Sequence, residues 1–400
     1  MKVKNNKWCR NRHKVAYAIL RPIVGFVVRM MYGFKPKKYK LDKKKGYFIL
    51  SNHQALLDPI FLALSFNKPI YFVATDNLFT HKHISRILRY FLNPIPKRKA
   101  AIDATCLKTC LKVAKEGGSV GLFVEGNRAY NDFQFYIDPS ITKLIKKMGL
   151  SLVLYNLKGG YGVDPRWGNK KRKGKFVGEV KRIIEAEELE NISNEELYDI
   201  VCNDLKVIDS DSNELYKSKQ RAEYLERQLF VCPKCNKTQT LYSKDDKIYC
   251  KECGLEAEYL ENLHIKVNDE DIKFDKLFDW YRYQLEYIKN CQITEENIFE
   301  DEEVEVYYSN YNQPRVLITK GKLILTKDEL KCNDCIIKIK DIQSSSAIGG
   351  FKFIATTEEN NYLIIGNPRF NPIKYVLMFN VLEGPIKDKG GDKYYDLNIN

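Results

Sequence analysis

The chain has 400 residues, more than one ordinary domain, and its 44% hydrophobic and 12% aromatic content excludes a disordered polypeptide. Its formal charge of +14 is unevenly divided: residues 1–182 hold 38 Lys/Arg against 10 Asp/Glu, and residues 183–400 hold 28 against 42. A front of net +28 suits phosphate-bearing substrates, an anionic membrane or nucleic acid; a back of net −14 does not.

Residues 15–34 (VAYAILRPIVGFVVRMMYGF) are apolar apart from Arg21 and Arg29, and Lys/Arg crowd both sides. A single span wants about 20 mostly apolar residues, and a central Arg costs about 2.5–3.5 kcal/mol. The uncharged stretches are too short to cross a bilayer, and no small-residue cleavage site marks a signal peptide. Two readings stay open: a helix in the membrane interface with its basic flanks on headgroups, or a buried first helix. The basic flanks favour the first.

GYFILSNH follows, an apolar run that ends in polar residues, as a buried strand does when it delivers a loop to a site. DPIFLALSF starts a helix with Asp58 as N-cap and Pro59 at the first helical position. KPIYFVAT reads as a strand, ISRILRYFL as a helix, NPIPKRKA as a turn, and ATCLKTCLKVAKEGG as an amphipathic helix stopped by Gly117–Gly118. SVGLFVEGN and LSLVLYNLKGG are further buried strands, with the helix ITKLIKKM between them. This alternation predicts an α/β domain with a largely parallel sheet flanked by helices and functional loops at the strands' carboxyl ends.

From about residue 183 the chain turns acidic and helical (EAEELENISNEELYDIVCNDL, then NELYKSKQRAEYLERQL). Two CxxC pairs follow, Cys232–Cys235 and Cys250–Cys253, separated by a polar hairpin-length stretch. Four thiolates at this spacing predict one structural, tetrahedral Zn²⁺ in a zinc ribbon, with no open position for catalysis. The scattered remainder of the eleven cysteines gives no disulfide framework, which favours a reducing, cytosolic setting. A helix (FDKLFDWYRYQLEYIK) and then short strands over 302–382, closed by NPIKYVLMFNVL, resemble a small PH/GRAM-like lipid-binding barrel in element order.

Two patterns bear on nucleic acid. Residues 230–262 carry five Lys and six Asp/Glu, a poor footprint for DNA or RNA. NKKRKGK (169–175) contacts headgroups or is a solvated loop. Cys332 and Cys335 (CNDC) read as a hairpin turn, with a redox pair or metal half-site as the alternative, and His81 and His83 receive no role.

His53 and Asp58 stand five apart across a strand-to-helix turn. The aspartate can orient one ring nitrogen and leave the other to take a proton; equally, the pair reads as a loop histidine beside a helix cap. The surrounding blocks bear on that choice. NHQALLD matches the NHxxxxD motif of the glycerolipid acyltransferases, the family of the bacterial 1-acylglycerol-3-phosphate acyltransferase. YFVATDNLF, NPIPKRKAAID and LFVEGNRAY resemble the blocks that follow, and LSLVLYNLKGG falls where a fourth is expected. The third block departs from FPEGTRS at Val124, Asn127 and Ala129, and the fourth lacks its proline. The resemblance covers roughly residues 15–182.

That resemblance implies an O-acyltransferase with His53 as base and Asp58 as its orienter. It puts Arg98 on the family's second-block arginine, and Glu125, Gly126 and Arg128 on the third block. Guanidinium suits bidentate phosphate binding, so Arg98 and Arg128, helped by Lys97, are candidates for the acceptor phosphate. Glu125 is expected to hydrogen-bond the acceptor or position Arg128, and Gly126 to let backbone approach substrate. No Ser or Cys stands in a nucleophile context, so direct attack is expected. The implied donor is acyl-CoA or acyl carrier protein, the acceptor a lysophospholipid, and the location the cytoplasmic face of an anionic membrane, peripheral or monotopic. The alternatives are an acyltransferase on another lysophospholipid or a glycolipid acceptor, or a non-catalytic lipid- or nucleic-acid-binding zinc-ribbon protein.

The expected organisation is a basic segment with the interface helix (1–45), a catalytic domain (46–182), an acidic helical linker (183–229), a zinc ribbon (230–262) and a helix plus β-rich domain (263–400).

Overall fold

A computed structural model of the chain describes residues 7–75, 82–97, 104–126, 128–134, 136–290, 298–310 and 313–382. The described elements fall into two compact units. The first comprises residues 1–128, 134–160 and 175–208; the second comprises 129–133, 161–174 and 209–400.

The first unit begins with α1 (Asn11–Tyr32), β1 (Phe34–Pro36), β2 (Tyr47–Ser51), α2 (Asp58–Ser65), β3 (Ile70–Thr75), α3 (Lys82–Phe91) and β4 (Ile95–Lys97). It continues with α4 (Ala104–Lys115), β5 (Ser119–Phe123), α5 (Ile141–Met148) and β6 (Ser151–Lys158). After the single turn α6 (Gly160–Val163) come β7 (Phe176–Ile184), α7 (Ala186–Leu189) and α8 (Asn194–Leu205). The sheet order is β1-β7-β6-β2-β5-β3-β4. All neighbours run parallel except β6 and β7.

The sequence-predicted strands and helices of this half are present. β2 is central and wholly buried, which is why its sequence is an unbroken apolar run rather than an alternation. Three strands were not expected from the sequence. The short β1 follows directly on α1. β4 lies inside the predicted turn NPIPKRKA. β7 shows a mixed burial pattern and runs into the stretch read as acidic and helical.

One helix does not form. NELYKSKQRAEYLERQL, read as helical, has only a 3₁₀ turn at Leu225–Arg227, and Tyr224 is left-handed at φ 74°. Its charges are spent on tertiary bonds instead. Arg221 pairs with Asp246 and Glu258, while buried Arg227 donates to Trp167 O and Asn169 Oδ1. A spacing of charges that resembled a solvated helix face is a set of internal ion pairs and caps.

The second unit holds β8 (Leu241–Lys244), β9 (Lys247–Cys250), β10 (Glu256–Tyr259) and β11 (Ile265–Val267) in one antiparallel sheet, followed by α9 (Leu277–Asn290). Then come β12 (Phe299–Tyr308), β13 (Val316–Leu325), β14 (Glu329–Cys332), β15 (Cys335–Lys338), β16 (Ser344–Ile348), β17 (Lys352–Thr356), β18 (Asn361–Ile365) and α10 (Pro372–Leu382). These seven strands form an antiparallel sheet in the order β15-β14-β13-β12-β18-β17-β16. The buried α10 covers that sheet.

Candidate active site and metal site

β2 and β5 are parallel neighbours in register, with Ser51 opposite Phe123. The loops that leave their carboxyl ends therefore emerge level, one carrying His53 and the other Glu125. Asn52 fixes the first loop against β6: its Nδ2 donates to Leu157 O at 2.9 Å, and its Oδ1 accepts from Leu157 N at 2.8 Å. The ring of His53 stacks on Phe123, with centroids 4.4 Å apart. Neither Asn52 nor Phe123 was singled out in the sequence. The Asn before the histidine was the available signal.

His53 Nδ1 lies 2.8 Å from Asp58 Oδ2. The same oxygen accepts the backbone amides of Gln54 at 2.6 Å and Ala55 at 2.9 Å. An oxygen accepting two amides is an acceptor toward the ring as well, so Nδ1 carries the proton and Nε2 offers its lone pair. Asp58 is fully buried, while the His53 side chain keeps 21% of its exposure. The pair thus has an anchored end and an accessible end.

Asp58 is not the N-cap of α2. The helix starts on it, Leu57 holds the cap position, and no side chain caps the helix end. The carboxylate turns back to the loop, so its contribution to the helix is less than expected and its hold on His53 is greater.

Glu125 Oε1 accepts His53 N at 3.3 Å, which joins the first and third blocks directly. Gly126 follows in the left-handed region at φ 69°, and a Cβ there would meet nothing within 4 Å. Its glycine answers a backbone requirement of the turn. Arg128 is half-buried two residues on. Lys97 ends β4, exposed, three strands from β2 in the sheet order, about 14 Å at normal strand spacing. Arg98 lies outside the described residues, as does His81.

α1 presents Val15, Ile19, Ile23, Phe26, Val27 and Met30 outward, with Phe26 68% and Met30 73% exposed. By length and composition alone it is long and apolar enough to cross a membrane, in contrast to the expectation that its uncharged stretches are too short. Its other face is tied to the domain by polar bonds. Tyr17 Oη donates to Phe66 O at 2.9 Å, and Arg21 donates to Leu64 O at 3.0 and 3.2 Å.

In the second unit the Sγ atoms of Cys232, Cys235, Cys250 and Cys253 all lie within 4.8 Å of one another. Cys232 and Cys253 are 3.6 Å apart, and Cys235 and Cys250 are 3.8 Å apart. Tetrahedral sulfurs on 2.3 Å bonds sit about 3.8 Å apart, so the set fits one metal ion. The two knuckles repeat each other. Asn236 N returns to Cys232 O and Gly254 N to Cys250 O, and both returning residues are left-handed.

Cys332 and Cys335 face each other across the two-residue turn of the β14–β15 hairpin. In the basic run 169–175, Arg172 is buried, stacked over Trp167 and Tyr259, and donates to Arg221 O. That cation serves the fold of the second unit.

Part of the chain is similar to known proteins. Residues 35–160 match the family model described as Acyltransferase. The chain is 28% identical over 117 residues to a chloroplastic 1-acyl-sn-glycerol-3-phosphate acyltransferase of Arabidopsis thaliana, and 27% identical over 120 residues to a 1-acyl-sn-glycerol-3-phosphate acyltransferase of Borreliella burgdorferi. Each match takes in 29% of this chain, and 33% and 48% of the respective relatives, so the chain spans less than half of their length. Among solved structures it is similar to the 1-acyl-sn-glycerophosphate acyltransferase PlsC of Thermotoga maritima, at 21% identity and a TM-score of 0.39, over 49% of this chain and 80% of that one.

Proposed function

We propose that this chain is a membrane-associated O-acyltransferase that moves an acyl group from acyl-CoA or acyl carrier protein to the free hydroxyl of 1-acylglycerol-3-phosphate, giving phosphatidic acid. The observation that carries the reading is the His53–Asp58 pair, buried at one end, accessible at the other, and set at the carboxyl end of a central parallel strand. The acyltransferase match over residues 35–160 supports it.

The acceptor hydroxyl hydrogen-bonds Nε2 of His53. As its oxygen attacks the thioester carbonyl, its proton passes to Nε2, and Asp58 steadies the imidazolium so formed. The tetrahedral intermediate collapses with loss of the thiolate, which takes the proton back from Nε2. A C–O bond forms, a C–S bond breaks, and the carrier thiol leaves. Arg128, Arg98 and Lys97 take the acceptor phosphate. A substrate reaching Lys97 lies across the ends of β2, β5, β3 and β4.

The outward apolar face of α1 rests in the headgroup region while Tyr17 and Arg21 keep the helix on the domain, which favours an interfacial over a spanning helix. The four cysteines hold a structural Zn²⁺. It is redox-inert and fully ligated by this set, and it takes no part in the transfer. The seven-stranded module with its closing helix serves docking or regulation.

The test is phosphatidic acid formation by purified protein on vesicles containing lysophosphatidic acid, with labelled acyl-CoA or acyl carrier protein as donor. Product that depends on His53 supports the reading. Folded protein that makes none, with any lysolipid acceptor, contradicts it.

A further inference from the structure

A groove of about 1320 Å³ runs along α1 in the first unit. It reaches Gly117–Gly118 and Lys68–Pro69, which lead into β5 and β3 at the amino-terminal edge of the sheet, and runs from there to Phe34–Pro36 of β1, three strands from β2 in the sheet order. Nine cationic side chains line it, against the single carboxylate of Glu116. Lys14, Arg29, Lys35, Lys38 and Lys43 make no ion pair with any described residue.

Like charges gathered in a concave site raise its potential and attract a counter-ion. Between the cations an apolar floor includes Ala18, Pro22 and Gly25 of α1 together with Leu64, against which Gly25 packs. The stripe of α1 that points outward, including Ile19, Phe26 and Met30, belongs to the same helix, and Phe26 is common to stripe and groove. A groove that pairs fixed cations with an apolar floor, beside a lipid-seeking face, matches a molecule with a phosphate at one end and acyl chains at the other.

We propose that this groove seats the headgroup phosphate of an intact anionic phospholipid, at a site separate from the acceptor site at His53. The proposal rests on the interfacial reading of α1. The cations fix the phosphate, the apolar floor receives the first segment of a chain, and occupancy sets the enzyme's preference for anionic surface. An acidic carrier protein is the competing occupant. The apolar stripe along the same helix favours lipid, because a carrier protein has no use for a face built to enter a bilayer.

The experiment compares sedimentation of the full chain on phosphatidylcholine vesicles with and without phosphatidylglycerol, and titration with monomeric, water-soluble dihexanoyl phosphatidylglycerol. The groove variant is Lys14→Gln/Lys38→Gln/Lys43→Gln, at three exposed positions. The control, Lys143→Gln/Lys147→Gln/Lys181→Gln, removes the same charge elsewhere on the first unit. Ile19→Ser/Ile23→Ser/Met30→Ser, at exposed positions outside the groove lining, tests the interfacial face by itself.

The groove variant is expected to lose the anionic preference by about tenfold or more, together with the soluble-lipid titration, and to keep its binding to neutral vesicles. The control keeps both. The apolar-face variant loses vesicle binding of both kinds, and failure there overturns the interfacial reading while the soluble-lipid titration still reads the groove. Equal loss in groove and control variants would reduce the effect to net charge and overturn the proposal. Unchanged lipid binding in the groove variant, with loss of acyl carrier protein binding, would reassign the groove to the acidic protein.

Discussion

The backbone amide of His53 donates to the carboxylate of Glu125 at 3.3 Å, joining residues 72 positions apart at the ends of two neighbouring strands. Glu125 thereby holds the loop that carries His53. Glu125→Gln keeps an oxygen acceptor for that amide, whereas Glu125→Ala leaves it unpaired. The alanine variant is expected to lower kcat by at least about tenfold more than the glutamine variant, because a small shift of the base costs rate steeply. Steady-state kinetics of the two variants, with folding monitored by circular dichroism, checks this.

Asp58 accepts two amides and the ring from one buried oxygen. Asp58→Ala unsatisfies all three donors, each worth about 1–3 kcal/mol when left buried. It should therefore lower Tm as well as activity. His53→Ala leaves those amides satisfied and is expected to cut the rate by about 10²–10⁴ with little change in Tm. Thermal melts beside rates separate the two roles.

At Gly126 the left-handed backbone, with open space around it, calls for glycine on conformational grounds alone. Gly126→Ala is expected to cost about 1 kcal/mol, and Gly126→Asn less, since Asn tolerates that region. Chemical denaturation of the three proteins gives the ranking directly.

Much of this arrangement was legible in the sequence, and the parts that were not share a cause. His53 and Asp58 are five residues apart on one turn, so local spacing revealed them. The link from His53 to Glu125 depends on β2 and β5 being sheet neighbours in register, which no local pattern encodes. β7 was missed because its burial is mixed and its sequence adjoins an acidic stretch. Residues 213–229 looked helical because Leu, Glu and Arg recur there, yet Arg221 and Arg227 are internal partners whose bonds pull the backbone out of a helix. Arg172, read as part of a surface run, is buried against two aromatic rings. Charge in a sequence reports the partner only when the partner is nearby in the chain.

Purified chain is expected to carry about one zinc per molecule by elemental analysis, and chelation should lower Tm, since metal binding to such a site is coupled to folding. Cys232→Ser/Cys235→Ser should lose the metal. Cys332→Ser/Cys335→Ser, in the β14–β15 hairpin, should retain it.

His13 is buried near the start of α1, with Nδ1 3.2 Å from Tyr71 Oη. Burial, reinforced by Arg12 and Arg10, holds its pKa below the usual 6.5. The unfolded chain takes up this proton near pH 6.5, and the folded chain does so only at lower pH. The stability carried by neutral His13 is complete above 6.5 and is lost as pH falls below it toward the folded value. Melts between pH 8 and pH 5 should show Tm falling on the acid side in the wild type, with a flatter profile in His13→Gln.

The most direct test of the central claim is acyl transfer itself. Wild type and His53→Ala would be given lysophosphatidic acid in vesicles and labelled acyl-CoA or acyl carrier protein, with phosphatidic acid as the readout. The account predicts product from the wild type and a loss of about 10² or more in the variant. Equal product from both proteins would contradict it, because the base would then lie elsewhere.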